Sequence, residues 1–157
     1  MITILALDAS STMIGWCVYR DGAVIDHGEF KLGFAAAKNA TADISLRCEQ
    51  AHTRLEDLLD RYLDVDCIAL ESPVARFAKA VIPQARVSGA ILACAALRRL
   101  HVVEVTPGQA KMALTSSGAA DKAAMQVAAL AYGVAGEHAS DAVGVAKAAA
   151  ARVRVVA

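Results

Sequence analysis

Two short apolar runs, each followed directly by a carboxylate, constrain the fold of this chain more than any other feature. The first covers residues 2–7 and ends at Asp8, and the second covers residues 67–70 and ends at Glu71. An apolar run of four to eight residues is typical of a strand that is buried on both faces of a sheet. Because such strands need helices on both faces, the two runs predict an α/β fold.

The rest of the chain alternates between strand and helix patterns. Residues 13–19 and 23–30 are predicted as strands joined by a hairpin turn at Asp21 and Gly22, and residues 102–105 as a fifth strand. Helices are predicted over residues 44–62, 83–100 and 121–132, from Pro107, and over about 138–153, with a loop over 31–41. The prediction is a five-stranded mixed sheet flanked by helices, forming one domain over residues 1–157.

Charge and cysteine usage limit the function only in part. The chain has 16 Lys and Arg and 16 Asp and Glu, so any DNA-binding surface must come from local clustering of basic residues. None of the four cysteines forms a C-x-x-C pair or has a zinc-like spacing to a histidine, and Cys17, Cys67 and Cys94 are predicted as small core residues. The longest uncharged apolar stretch is too short for a bilayer, so we expect no membrane association and a cytoplasmic location.

Small residues recur along the predicted helix 83–100. Gly89, Ala90, Ala93, Ala96 and Leu97 are spaced three and four residues apart, which lets another helix pack very close. Two interpretations stay open at this point. The helix packs in this way on its own sheet, or it forms the seam between two copies of the chain.

Acidic residues at the ends of three predicted elements suggest a metal site. Asp8 and Glu71 stand at the carboxyl ends of their strands, which is the edge where open α/β sheets bind ligands. His138 and Asp141 share one face of the closing helix, near its start. Each alone is more often a turn or capping residue. Three carboxylates from remote segments together suit Mg²⁺, and two such ions support phosphodiester hydrolysis.

Four segments resemble, in order, the RuvC branch of the RNase H-like superfamily. They are ILALDASSTMIGWCVY (4–19), CIALESPVARFAKAVIPQARVSGAI (67–91), EVTPGQAKMALTSSGAADKAAMQVAAL (104–130) and EHASDAVGVAKAAAA (137–151). The ordered series Pro-x-x-x-Lys, Asp-Lys and His-x-x-Asp is their most distinctive part. The resemblance extends over residues 2–150 and implies an RNase H-like fold.

The resemblance also implies an activity and a set of site residues. The family resolves Holliday junctions, which are four-way DNA junctions formed in recombination and repair. By position, Asp8, Glu71, His138 and Asp141 would be the catalytic residues and would hold Mg²⁺ or Mn²⁺. A homodimer is expected as well, because a four-way junction offers two equivalent strands to two identical sites.

Six further residues are predicted to contact DNA. They are Lys111, Lys122, Arg76, Phe77, Lys79 and Arg86. The resemblance assigns the first two to backbone phosphates, which position DNA without reading its sequence. The other four follow the second acidic strand, where the basic side chains would line the DNA path. The phenylalanine either stacks on an unpaired base or belongs to the core.

The sequence also departs from the family pattern in two places. Ala9 and Ser10 follow Asp8 where bacterial members typically have Pro-Gly, and the basic tail is limited to Arg152 and Arg154. Such differences resemble a divergent viral or mobile-element member.

Other function classes fit parts of the sequence. An Asp followed by Ser-Ser-Thr at a hairpin also resembles the phosphate loop of actin-like ATPases and sugar kinases, but those proteins need two lobes and 157 residues supply one. A non-catalytic junction-binding module would not need three carboxylates held together. A nuclease of the same fold that cuts other branched, single-stranded or hybrid substrates stays open.

Overall fold

The computed structural model describes residues 1–33, 40–73 and 78–156, and these ranges contain five strands and five helices. The strands are β1 (Thr3–Ala9), β2 (Met13–Arg20), β3 (Ala23–Lys31), β4 (Cys67–Glu71) and β5 (His101–Val105). The helices are α1 (Ala40–Arg61), α2 (Ala78–Leu97), α3 (Pro107–Thr115), α4 (Lys122–Leu130) and α5 (Glu137–Val156). The predicted order of elements is confirmed.

The strands form one mixed sheet in the order β3-β2-β1-β4-β5. The first three strands are antiparallel neighbours, whereas β4 runs parallel to both β1 and β5. Asp21 and Gly22 both have positive φ, at 48° and 97°, which suits the tight hairpin predicted between β2 and β3. The five-stranded mixed sheet is therefore confirmed, with β1 at its centre.

The two faces of β1 belong to two different hydrophobic cores. Side chains alternate between the faces of a strand. Ile4 and Ala6 pack with buried residues of α3, α4 and α5, whereas Leu5 and Leu7 pack with α1 and α2. Asp8 continues the first of these series, so it lies on the face of the sheet that α5 covers.

Helix α2 differs from its prediction at both ends. It was predicted over residues 83–100 because proline favours the first turn of a helix. It begins at Ala78 instead, and Pro83 lies inside it. It ends at Leu97 because Arg99 adopts a left-handed conformation with φ 56° and Leu100 donates its N–H to the Ala95 carbonyl.

Helix α1 also starts earlier than its pattern suggested. It begins at Ala40 rather than at residue 44. The loop predicted over 31–41 is therefore wrong for its last two residues, which belong to the helix. Residues 34–39 of that predicted loop lie outside the described residues. Asp43 lies in the first turn, where a negative charge stabilises a helix N-terminus. Among the described helices, none is long and apolar enough to cross a membrane.

Helix α5 packs unusually close to its neighbours. A Cβ atom added at Gly15 of β2 would lie 2.7 Å from the Cβ of His138, and closer still to its carbonyl group. A Cβ atom at Gly144 would lie 2.8 Å from the Ala110 carbonyl oxygen of α3. Gly15 therefore lets the start of α5 lie directly against β2, and Gly144 lets α5 pack closely against α3.

Candidate active site

Asp8 and Glu71 are neighbours at the carboxyl ends of two parallel strands. The register pairs Leu7 with Leu70, so the next positions along the two strands are Asp8 and Glu71. Cys67 belongs to the core on the α5 face, and by strand alternation Glu71 lies on that face too. The sheet thus brings two carboxylates from distant parts of the chain to one edge, facing α5.

The first turns of α5 bring two more side chains to this edge. His138 Nδ1 lies 3.0 Å from Asp8 Oδ2. Asp141 lies close enough for its charge to oppose the ionisation of Glu71 and for the charge of Asp8 to oppose its own ionisation. Ser140 donates its hydroxyl to the Gly136 carbonyl, and Asp141 lies inside the helix. The alternative in which Ser140 or Asp141 caps this helix is therefore wrong.

The carboxylates destabilise one another's charged forms. Burial, followed by repulsion from Asp8 and Asp141, raises the pKa of Glu71 to about 8, although Lys111 opposes the shift. Burial and the charge of Asp8 raise the pKa of Asp141 to about 6, against the charge of His138. Raised carboxyl pKa values in a shared cleft are typical of functional sites, and a bound cation would relieve the repulsion.

The surroundings of His138 favour its charged form, in contrast to those of Glu71 and Asp141. Its hydrogen bond to Asp8 raises the pKa of the imidazole, burial opposes this, and the charges of Asp8, Glu29 and Glu137 add to the rise. The protonated ring is therefore stabilised next to Asp8. The same ring would have to lose a proton to become a metal ligand.

Glu29 is a residue of this site that the sequence did not reveal. Its Oε1 accepts the backbone N–H of Ala139 at 2.9 Å, in the first turn of α5. A Cβ atom at Gly136 would lie 2.7 Å from the same oxygen, so the glycine makes room for the contact. A carboxylate at a helix N-terminus satisfies an unpaired N–H and interacts favourably with the helix dipole. Glu29 therefore fixes where α5 begins, and with it His138.

Two predicted lysines flank the carboxylates. The positive charge of Lys111 on α3 opposes the rise in the pKa of Glu71. The charge of Lys122, at the start of α4, opposes the rise in the pKa of Asp141. The Lys122 ammonium is 74% exposed and forms an ion pair with Glu137, the first residue of α5. This hydrogen bond raises the pKa of Lys122 and lowers that of Glu137.

Local capping holds both lysine-bearing helices in place. Thr106 and Gln109 form a reciprocal capping box at the start of α3. Asp121 caps α4, with its Oδ1 accepting the Ala124 N–H at 2.8 Å. The lysines therefore project from helices whose starts are fixed by local caps.

The remaining predicted DNA contacts are more distant or not described. Arg86 is exposed on α2, where its charge opposes the effect of burial on the pKa of Cys48. Arg76, Phe77 and the side chain of Lys79 lie outside the described residues. The neighbouring Gln84, which was not singled out, donates its amide to the carbonyl of Ala9 at 3.0 Å and ties α2 to the end of β1.

The ligand atoms of the candidate site do not form a tight group of three. Among the described residues, only His52, Glu56 and Cys94 form a group of three potential ligands whose atoms all lie within 4.8 Å of one another. The ligand atoms of Asp8, Glu71 and Asp141 are therefore more widely spaced than in such a group.

The strand order, the parallel pairing of β1 with β4 and the carboxylates at their ends define a protein with an RNase H-like fold. The model of the family described as crossover junction endodeoxyribonuclease RuvC matches residues 4–149, so the chain belongs to the RuvC family. The resemblance of the four sequence segments and the predicted fold class are both confirmed.

Individual relatives agree with this assignment. The structure of T. thermophilus RuvC in complex with Holliday junction substrate is similar at a TM-score of 0.80 and 21% identity, and covers 99% of this chain and 97% of that one. A second Thermus thermophilus RuvC structure has a TM-score of 0.77, 20% identity and the same coverage. RuvC from Streptomyces avermitilis is 36% identical over 85 residues, which are 54% of this chain and 48% of that protein. The match thus spans about half the length of this curated relative.

Proposed function

We propose that the protein is a structure-selective DNA endonuclease that resolves four-way junctions by metal-dependent phosphodiester hydrolysis. Membership of a family described as crossover junction endodeoxyribonucleases supports the activity. A relative of the same fold holds a Holliday junction substrate, which supports branched DNA as the partner. In this chain, the observation that carries the proposal is the meeting of Asp8, Glu71 and Asp141 at one sheet edge, with His138 against Asp8.

The donor set fits a divalent cation. The raised pKa of the buried Glu71 carboxyl favours a bound proton that a cation would replace, and the oxygens of the carboxyl groups suit Mg²⁺ or Mn²⁺. We assign Asp8, Glu71 and Asp141 as ligands, with His138 as a further ligand or a proton relay. Ions held by these residues would supply activation of a water molecule and stabilisation of the leaving oxygen of the cut strand.

The lysines are proposed to bind backbone phosphates next to the scissile bond. Lys122 must exchange Glu137 for a phosphate when DNA arrives. Exposed ion pairs contribute little to stability because water screens them, so the exchange costs little. Lys111 does not take part in the ion pair with Glu137, so it can bind a phosphate without breaking that pair. Arg86, which is exposed, would extend the DNA path, and the roles of Arg76, Phe77 and Lys79 stay predictions.

A homodimer through α2 is part of the proposal. Val87 and Ile91 face the chain's own core, whereas the small residues named above are largely exposed on the other side of the helix, and Leu97 is 76% exposed. The stripe therefore does not pack on its own sheet, and a second copy of α2 is the occupant that fits its spacing. Two identical sites would then give paired nicks.

The dimer can be tested by sedimentation velocity. Leu97→Lys should convert a dimer to a monomer, because it places a charge in the seam. Val127→Lys is the matched control, since Val127 is 68% exposed on α4, outside the seam. A wild-type monomer, or a Leu97→Lys dimer of unchanged affinity, would contradict the proposed interface.

The substrate can be tested with a panel of DNA structures. We expect paired nicks in a synthetic four-way junction with Mg²⁺ or Mn²⁺, and much less cutting of linear duplex, single strands and RNA–DNA hybrids. Preferential cutting of the hybrid or of single strands would support nuclease activity but contradict the four-way junction as the substrate. Binding of the junction without cutting would favour a non-catalytic module.

The four cysteines are free thiols, as is usual in a reducing compartment, and we propose a cytoplasmic location.

A further inference from the structure

Three potential metal ligands meet between α1 and α2, on the face of the sheet opposite α5. His52 and Glu56 are four residues apart on α1 and therefore share one face of that helix. Cys94 comes from α2 and is fully buried, and its Sγ lies 3.0 Å from Glu56 Oε1. One ligand atom from each of the three residues lies within 4.8 Å of the other two.

We propose that His52, Glu56 and Cys94 bind one transition-metal ion of the Zn²⁺ class. Imidazole nitrogen, carboxylate oxygen and thiolate sulfur are the donors that Zn²⁺ takes in proteins. With typical bond lengths, tetrahedral coordination places such donor atoms roughly 3.4–3.6 Å apart. The Cys94 Sγ–Glu56 Oε1 separation is 3.0 Å and no pair of the three ligand atoms exceeds 4.8 Å, so small side-chain rotations would bring them to that spacing, with water as the fourth ligand. Mg²⁺ is disfavoured here because thiolate and imidazole are not its preferred ligands.

Neighbouring groups already orient the carboxylate of this site. Arg98 donates from Nε to Glu56 Oε2 at 2.8 Å, and its Nη2 reaches Asp60 Oδ1 at 2.6 Å. The guanidinium therefore occupies the outer oxygen of Glu56 and leaves Oε1 directed at Cys94. Partners of this kind, which fix a ligand without touching the ion, are a regular part of metal sites.

Binding would replace one proton by the ion. The Cys94 thiol now donates to Glu56 Oε1. On binding, a sulfur–metal bond forms, the thiol proton leaves to solvent, and the freed Glu56 oxygen becomes a second ligand. No oxidant or reductant is needed. The result is a link between α1 and α2 that is independent of the carboxylates facing α5.

Co²⁺ is a direct probe of this site, because a cobalt–thiolate bond gives a charge-transfer absorption in the near ultraviolet that oxygen and nitrogen ligands do not. The full chain, with its thiols reduced, is titrated with Co²⁺. We expect the band to saturate at one equivalent and to disappear when Zn²⁺ is added. Cys94→Ser should abolish it, and His52→Gln should weaken Co²⁺ binding by at least ~10-fold.

Cys48→Ser is the matched control. Cys48 lies four residues before His52 on α1 and is partly exposed, so it is the other sulfur that could reach this imidazole. The proposal requires the band to persist in this variant. No band in the folded wild-type protein, or a band that is lost in Cys48→Ser and kept in Cys94→Ser, would overturn it. A Zn²⁺-dependent rise in Tm that is present in the wild type and absent in His52→Gln provides a readout that does not depend on cobalt.

Discussion

Replacing Glu71 with Gln should stabilise the metal-free protein at alkaline pH. The Glu71 carboxyl has a pKa of about 8 in the folded chain and an ordinary value of 4.5, because burial and the charges of Asp8 and Asp141 oppose its ionisation. Between these values the folded state binds more protons than the unfolded state, so stability falls as the pH rises. Because Gln cannot ionise, the stability of the variant does not fall in this way as the pH rises.

The size of the effect follows from the two pKa values. One pKa unit corresponds to 1.36 kcal/mol, so the interval from 4.5 to about 8 sets an upper bound of about 5 kcal/mol. The buried amide of Gln must itself be hydrogen-bonded, which offsets part of the gain. We expect the variant to be more stable by about 2 kcal/mol at pH 8.5, and close to the wild type at pH 5.

Urea unfolding with a chelator present measures this difference. Trp16 is the only tryptophan and is buried on β2, so its fluorescence reports the loss of the sheet. With a slope of roughly 2 kcal/mol per molar urea, the midpoint should rise by about 1 M at pH 8.5. Glu49→Gln, at an exposed position of α1, is the control and should change nothing. A Glu71→Gln variant that is no more stable than the wild type at pH 8.5, or a difference that is the same at both pH values, would refute the reasoning.

Three more predictions concern the surroundings of the site. Gly15→Ala should displace the start of α5, because its methyl group overlaps His138; we expect a loss of roughly 1–3 kcal/mol in thermal unfolding and weaker cleavage. Lys122→Ala should weaken junction binding and lower the salt slope by about 1, measured by fluorescence anisotropy, whereas Glu137→Gln should not weaken it. Asp121→Ala removes the N-cap of α4 and should cost about 1 kcal/mol in urea unfolding. Unchanged values in these assays would contradict the respective contacts.

The parts of the fold that the sequence predicted are those with a strong local pattern. The four residues before Asp8 (4–7) and the four before Glu71 (67–70) are all apolar, which identifies buried strands because their side chains suit both covered faces of the sheet. Parallel pairing then places both acids at one edge, which follows from strand direction alone. The start of α2 differs from the prediction because Pro83 is typical of a helix start, whereas the helix begins five residues before it, at Ala78.

Contacts between distant segments could not be predicted in this way. Glu29 and Ala139 are 110 residues apart, and nothing in the β3 sequence shows that this carboxylate reaches α5. Cys94 was correctly predicted as a core residue, but its meeting with Glu56 depends on how α2 lies against α1. A search for metal-ligand spacing along the chain fails when the ligands come from two packed helices.

Cleavage of a four-way junction by the wild type and by Asp8→Asn tests the central proposal most directly. Both proteins should bind the junction, because the substitution leaves the proposed phosphate-binding lysines in place. The wild type should nick it in Mg²⁺ or Mn²⁺ and not with a chelator, and Asp8→Asn should lose at least ~100-fold in rate. Asp57→Asn, at an exposed position of α1, controls for the loss of a charge and should cut normally. Full cleavage by Asp8→Asn, or cleavage by the wild type that persists in chelator, would contradict the assignment of this site.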